Sequence, residues 1–375
     1  MRYKSFLIGV LSSLALLGLA FFAVRFSVQR SIYQQASPWV AYVAGCSGGH
    51  VVPALTHAQG YIAQHPGSQV LFFSTDTPAV VVDLLQKATH VAHHVPLTLG
   101  NIPRGAWLAW PGFAWDFVRT CWTAAWELIT KKPAYIMATG GYIGVPVVLI
   151  ARALGIPVYL YNLDVVPGEA ARFLSKWVPV TYVCFDETKK YFPDAQRVEL
   201  VPYPLRFTSM DRISKQAARE KLGLAQDKKI VVVLGGSKGS EFLNEAIPAA
   251  VALIPDHARY LVLHQTGGGK GEKTSQDYAS KGIAAQVFAF RHDIGLVYAA
   301  ADAVVARAGA GTLFELQFFG VPALIVPLET QTTMHQIDNA RAMVAQYPGQ
   351  FKFIMQGALE NNTQALSDAI AGLVG

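Results

Sequence analysis

Trp39-Val40-Ala41-Tyr42-Val43-Ala44-Gly45-Cys46-Ser47-Gly48-Gly49-His50 decides how this chain is read. Trp39 to Ala44 is a short apolar run that predicts a buried strand, and an amphipathic helix follows through Leu55 and Ala58. The glycines between them let the backbone turn sharply and approach a ligand, while the open N–H groups of the new helix favour an anion. The pattern predicts a strand, an anion-binding turn and a helix, the opening unit of a doubly wound α/β domain.

The same grammar returns. Lys229 to Leu234 predict a strand, Gly235-Gly236-Ser237-Lys238-Gly239-Ser240 a turn, and Phe242 to Ala250 a helix. Two such units predict two Rossmann-like halves, each holding one phosphorylated ligand. Neither turn has the G-x-G-x-x-G or the Walker spacing, which argues against a nicotinamide enzyme or an ATPase.

Between the turns, further strands are expected at Gln69 to Phe73, Ala134 to Met137, Pro157 to Tyr161, Val180 to Cys184 and Arg197 to Val201. After the second turn they are expected at Tyr260 to His264, Ala285 to Phe288, Ala303 to Val305 and Ala323 to Val326. This alternation of strands and helices builds parallel sheets covered on both faces. The prolines of Pro202-Tyr203-Pro204 and the charge-rich stretch after Asp211 mark the boundary, giving domains at 39–206 and 207–375 after an N-terminal segment, 1–38.

At 375 residues, 52% hydrophobic and 15% charged, the chain is long enough for two full cores. Arg2, Lys4, Arg25 and Arg30 supply four of the formal six positive charges, so the globular part carries no basic stripe suited to nucleic acid. Phe6 to Val24 is an uncharged apolar run. As a helix it would span roughly 28 Å, about one hydrocarbon core, and it reads as a single-pass transmembrane anchor, with a cleaved secretory signal as the rival. Positive charge on both flanks leaves its orientation open. Cys46, Cys121 and Cys184 imply no disulfide framework and no metal site.

Five tryptophans fall between Trp107 and Trp126. From Trp115 onward, Trp115, Val118, Trp122, Ala125, Trp126 and Ile129 share a helical face opposite Asp116, Arg119, Thr123, Glu127 and Thr130. That face suits core packing. Trp107, Trp110 and Phe113, beside Arg104, suit a lipid headgroup region.

Three more segments carry polar chemistry at predicted strand ends. Thr139-Gly140-Gly141-Tyr142 places a tyrosine that can donate a hydrogen bond or stack on a sugar. Arg307-Ala308-Gly309-Ala310-Gly311-Thr312-Leu313-Phe314-Glu315 opens a helix, and Glu315 suits two vicinal ribose hydroxyls. His335-Gln336-x-x-Asn339 puts His335 and Asn339 on one helical face with no third metal ligand near, favouring hydrogen bonds to a ligand.

The glycine turn ending in His50, the Gly-Gly-Tyr turn, Pro204-Leu205-Arg206, the Gly-Gly-Ser turn, the run from Arg307 to Glu315 and the pair His335-Gln336 together resemble the MurG family over roughly residues 40 to 345. The resemblance implies a GT-B fold, two Rossmann-like domains facing a cleft. It also implies an inverting transfer of N-acetylglucosamine from UDP-N-acetylglucosamine to lipid I, a polyprenyl-diphosphate-linked acceptor, giving lipid II for peptidoglycan. It calls for no metal, cofactor or nucleic acid, and for work at the cytoplasmic face of the cell membrane in contact with lipid. On the acceptor side, Ser47, Gly48 and Gly49 look like the diphosphate loop, His50 like the general base and Tyr142 like the acceptor-side tyrosine. On the donor side, Gly236, Ser237 and Lys238 look like the diphosphate loop, Arg206 and Arg307 like donor contacts and Gly311, Thr312 and Glu315 like the ribose segment. Phe290 and Arg291 look like the base pocket, and His335 and Gln336 like the sugar contacts.

The chain departs from the family pattern at the acceptor segment. The usual His-Glu-x-Asn reads here as Tyr161-Asn162-Leu163-Asp164, so Asn162 stands where a carboxylate is expected and Asp164 supplies one two positions on. Lys238 replaces a customary glutamine. Two alternatives therefore stay open: a glycolipid synthase with a diacylglycerol acceptor, and a non-catalytic, membrane-anchored subunit that binds a nucleotide sugar.

Overall fold

The computed structural model describes residues 37–374 apart from 46, 77–78, 101, 104–106, 237–238 and 331–334. Two compact units divide it, one ending at Pro204 and one beginning at Leu205, with the three residues Asp164–Val166 grouping with the second.

The first unit is a seven-stranded sheet ordered β3-β2-β1-β4-β5-β6-β7. Its strands are β1 Trp39–Val43, β2 Gln69–Thr75, β3 Val91–Leu97, β4 Ile136–Ala138, β5 Val158–Asn162, β6 Val180–Val183 and β7 Val198–Leu200. All neighbours run parallel. The second unit repeats the winding in six parallel strands ordered β10-β9-β8-β11-β12-β13. These are β8 Lys229–Leu234, β9 Tyr260–Gln265, β10 Ala284–Phe288, β11 Ala303–Ala306, β12 Ala323–Ile325 and β13 Phe351–Phe353.

Helices cover the sheets because the strands are apolar on both faces, as buried parallel strands must be. In the first unit Val43, Phe73, Ile136, Val147, Leu160 and Leu174 form one core layer. In the second, Val231, Val233, Ile247, Val262, Val305 and Leu324 do the same.

Strand order reverses between β1 and β4 in the first unit and between β8 and β11 in the second. At such a reversal the loops leaving the two central strands diverge, and the crevice outside their carboxyl ends binds ligands. Val43 pairs with Ala138 and Leu234 with Ala306, so the glycine turns after these strands are neighbours by register.

Two strands have no counterpart in the sequence expectations, β3 and β13. Both are edge strands. An edge tolerates Pro96 and the pair His93-His94, which weaken the apolar signal of β3, and Lys352 interrupts β13. The strand expected from Ala134 is observed from Ile136.

The tryptophan helix, Trp110–Lys131, turns its large rings outward. Thr120, Ala124, Ala125 and Leu128 are its buried residues, while Trp115, Trp122 and Trp126 are 69%, 66% and 63% exposed. Core packing is thus corrected for the tryptophans: Ala125 and Ile129 of that face do pack inward, small residues let the helix lie close to the helix Gly144–Ala153, and the large rings are left in solvent. The expected anchor Phe6 to Val24 lies outside the described residues, and among the described residues no helix is long and apolar enough to cross a membrane.

Candidate active site

In the first unit the β1 turn leads through Ser47 into the helix Gly48–Gln64, whose first turn has neither a side-chain cap nor an acidic residue. The N–H ends at Gly48 and Gly49 therefore keep their anion preference. Against this turn lies the β4 turn, where Gly140 and Gly141 have φ of 98° and 84°. A Cβ on Gly141 would sit 2.9 Å from the Gly45 Cα. Two glycines facing each other are what allow the two turns to touch at the strand reversal.

That contact places His50. Its Nδ1 lies 2.7 Å from the Thr139 carbonyl oxygen, and the Thr139 hydroxyl donates back to the His50 carbonyl at 3.2 Å. A carbonyl can only accept, so Nδ1 carries the proton and Nε2 the lone pair. This tautomer suits a general base held by backbone rather than by a carboxylate. Tyr142 follows in the same turn, half-buried. Asn162 ends β5 and is buried.

Asp164 falls in the second unit. Asn339, fully buried on the helix His335–Gln346, donates to Asp164 Oδ1 at 2.8 Å and to the Ala308 carbonyl at 3.2 Å, and accepts from the Val165 N–H at 2.8 Å. The carboxylate offered by the altered acceptor segment is thus held by a buried amide.

In the second unit, a Cβ on Gly239, whose φ is 72°, would collide with the Thr266 carbonyl, so only glycine brings this turn against the end of β9. Ser237 and Lys238 lie outside the described residues. Across the strand reversal, Arg307 is buried and spends its whole guanidinium on the protein. Nε and Nη2 donate to the Ser240 hydroxyl at 3.1 and 2.6 Å, Nη1 to the Val326 and Pro327 carbonyls at 3.0 and 3.2 Å, and Nη2 to Gln356 Oε1 at 2.8 Å. Five bonds occupy its five donors. Burial lowers its pKa to about 10. Arg307 ties the glycine turn, through Ser240, to the loop after β12.

Glu315 is buried on the helix Ala310–Phe319, a turn beyond Gly311 and Thr312. Arg206 grips it with two hydrogen bonds, Nε to Oε1 at 2.8 Å and Nη2 to Oε2 at 3.2 Å, and the Tyr298 hydroxyl donates to Oε2 at 2.8 Å. Sequence reading pointed to Arg206 and Glu315 separately and missed Tyr298, which carries no motif. Phe290 is 44% exposed, and its ring meets His292 edge-on at 5.0 Å. Arg291 pairs with Asp293, which raises the arginine pKa and lowers that of the aspartate. Gln336 Oε1 accepts from the Leu328 N–H at 3.1 Å, bracing the loop after β12, and His335 opens the helix half-buried.

Known proteins share both halves. The glycosyltransferase family 28 N-terminal domain matches residues 40–183, and the glycosyltransferase family 28 C-terminal domain residues 230–350. The chain is 31% identical to the UDP-N-acetylglucosamine--N-acetylmuramyl-(pentapeptide) pyrophosphoryl-undecaprenol N-acetylglucosamine transferase of Hahella chejuensis, over 89% of this chain and 88% of that protein. It is 30% identical to the protein of that name from Desulforamulus reducens, over 80% and 81%. The crystal structure of Acinetobacter baumannii MurG superposes with a TM-score of 0.67 at 26% identity, covering 90% of both chains.

Proposed function

Because this chain belongs to the MurG family, we propose that it transfers N-acetylglucosamine from UDP-N-acetylglucosamine to lipid I, forming lipid II for peptidoglycan. It is an enzyme of the GT-B fold with the acceptor on the first unit and the donor on the second. The observation that carries the reading is His50: a base with a fixed tautomer, set at the strand reversal beside an uncapped helix N-terminus.

The acceptor diphosphate rests on Ser47, Gly48 and Gly49, with Tyr142 beside it. His50 Nε2 takes the proton of the attacking hydroxyl, and a single in-line attack inverts the anomeric carbon. The donor diphosphate lies on the Gly236-Ser237-Lys238 turn, whose backbone and lysine meet the charge on departing UDP without a metal, since the helix that follows is capped by Ser240 and carries Glu241 in its first turn. Phe290 and the Arg291 turn take the uracil. Gly311, Thr312 and Glu315 take the ribose, Arg206 neighbours it, and His335 and Gln336 take the sugar. Arg307 serves this site by holding Ser240 and the turn in place. Asn162 and Asp164 stand at the acceptor segment, Asp164 positioned by Asn339.

The reaction runs at the cytoplasmic face of the membrane. Phe6 to Val24 supplies a single-pass anchor, and the exposed Trp115, Trp122 and Trp126 rest in the headgroup region, where amphipathic rings are favoured. The test is transfer of labelled N-acetylglucosamine from UDP to lipid I with diacylglycerol as the competing acceptor. Product on lipid I is expected. Product only on diacylglycerol would make the chain a glycolipid synthase, and UDP binding without any product would make it a binding subunit.

A further inference from the structure

Glu315 is already crowded. Three hydrogen bonds from Arg206 and Tyr298 fall on its two oxygens, which offer about four in-plane acceptor positions. A ribose diol that donates one hydroxyl to each oxygen needs two of them, so one existing donor must give way. The two donors differ in freedom. The Arg206 side chain is 34% exposed, whereas Tyr298 is 2% exposed on the helix Ile294–Ala300. The Tyr298 ring is packed edge-on to Phe207 at 6.2 Å and against Phe319 at 5.4 Å.

We propose that Tyr298 is a positioning residue for the donor: it holds Glu315 Oε2 in place while Arg206 yields its position on the carboxylate to the two vicinal hydroxyls of a ribonucleotide. This rests on the reading of Glu315 as the ribose ligand. Burial and the facing Glu315 charge raise the phenol pKa well above its ordinary value, so the hydroxyl stays a donor throughout the working pH range. Without it, the carboxylate could rotate, and the ribose would lose an oriented acceptor rather than a contact of its own.

Tyr298→Phe keeps the ring and removes only the hydroxyl. In the full-length enzyme, calorimetry with UDP and 2′-deoxy-UDP and steady-state kinetics should show UDP Kd and donor KM rising ~5- to 30-fold, the loss of one buried charge-assisted bond. Turnover should stay within about twofold, and the preference for UDP over 2′-deoxy-UDP should shrink. Arg206→Gln provides a readout that does not depend on Tyr298→Phe folding: it should preserve that preference, since Tyr298 still orients Glu315. Loss of the preference in Arg206→Gln, or its full retention in a folded Tyr298→Phe, overturns the proposal. If Glu315→Gln leaves UDP affinity unchanged, the ribose reading itself fails and this inference with it.

Discussion

His50 and Thr139, 89 residues apart, bond to each other twice: the imidazole Nδ1–H donates to the Thr139 carbonyl, and the Thr139 hydroxyl donates to the His50 carbonyl. The arrangement fixes the ring and leaves Nε2 as the basic nitrogen. His50→Ala should therefore lower turnover by ~10²- to 10⁴-fold with UDP affinity near wild type. Steady-state kinetics with calorimetry checks this, and an equal loss of UDP binding would assign His50 to maintaining the fold.

Glu315→Gln should weaken UDP-N-acetylglucosamine by ~1–3 kcal/mol, since a neutral amide forfeits charge-assisted bonds to the ribose. Calorimetry with the donor measures it directly. Unchanged affinity would leave Glu315 as no more than the partner of Arg206 and Tyr298.

Arg307 separates two roles. If it braces Ser240 and the loop after β12, Arg307→Met should destabilise the protein by ~2–4 kcal/mol by orphaning buried acceptors, seen as a lower denaturation midpoint. An Arg307→Lys protein with wild-type stability and no UDP binding would instead make Arg307 a direct donor contact.

His264 predicts a pH response. It is fully buried in β9, with Nδ1 bonded to the Tyr278 hydroxyl at 2.8 Å and Nε2 without a partner among the described residues. Burial pushes its pKa down to about 3 from an ordinary 6.5. The unfolded chain takes up this proton below about 6.5 and the folded chain does not until about 3, so stability falls with pH across that window, by ~1.4 kcal/mol per unit. His264→Asn, which can keep a bond to Tyr278, should flatten the slope in urea titrations between pH 6.5 and 4. An unchanged slope would place the acid sensitivity elsewhere.

The tryptophan face should bind lipid. In a chain lacking residues 1–36, Trp115→Ser, Trp122→Ser and Trp126→Ser combined should reduce sedimentation with phospholipid vesicles by about tenfold or more while UDP binding persists, because each ring loses an interfacial site. Vesicle binding at full strength in the triple variant would assign these rings to a protein partner.

Strand, turn and helix were legible wherever a central parallel strand is apolar on both faces, as at Trp39–Val43 and Lys229–Leu234. The edge strands β3 and β13 were not, because half of an edge faces solvent and tolerates His93, Pro96 and Lys352. Helical periodicity gathered Trp115, Trp122 and Trp126 together, but it also placed Ala125 and Ile129 with them, which pack inward, because periodicity gives a phase and not a direction. Only packing showed that Thr120, Ala124 and Leu128 point inward.

Local sequence by itself determined the two doubly wound halves and their glycine turns, since strand pattern, glycine placement and helix starts act over a dozen residues. Long-range partners were decided by the tertiary structure. Thr139 sets the tautomer of His50, Tyr298 and Arg206 share Glu315, Asn339 holds Asp164, and Ser240 takes up Arg307. Neighbouring parallel strands bring the turns of His50 and Thr139, and of Ser240 and Arg307, to one sheet edge, whereas Tyr298, Arg206 and Asn339 reach their partners from helices and a connecting loop. A hydrogen bond closed by either route leaves no periodic trace in the sequence.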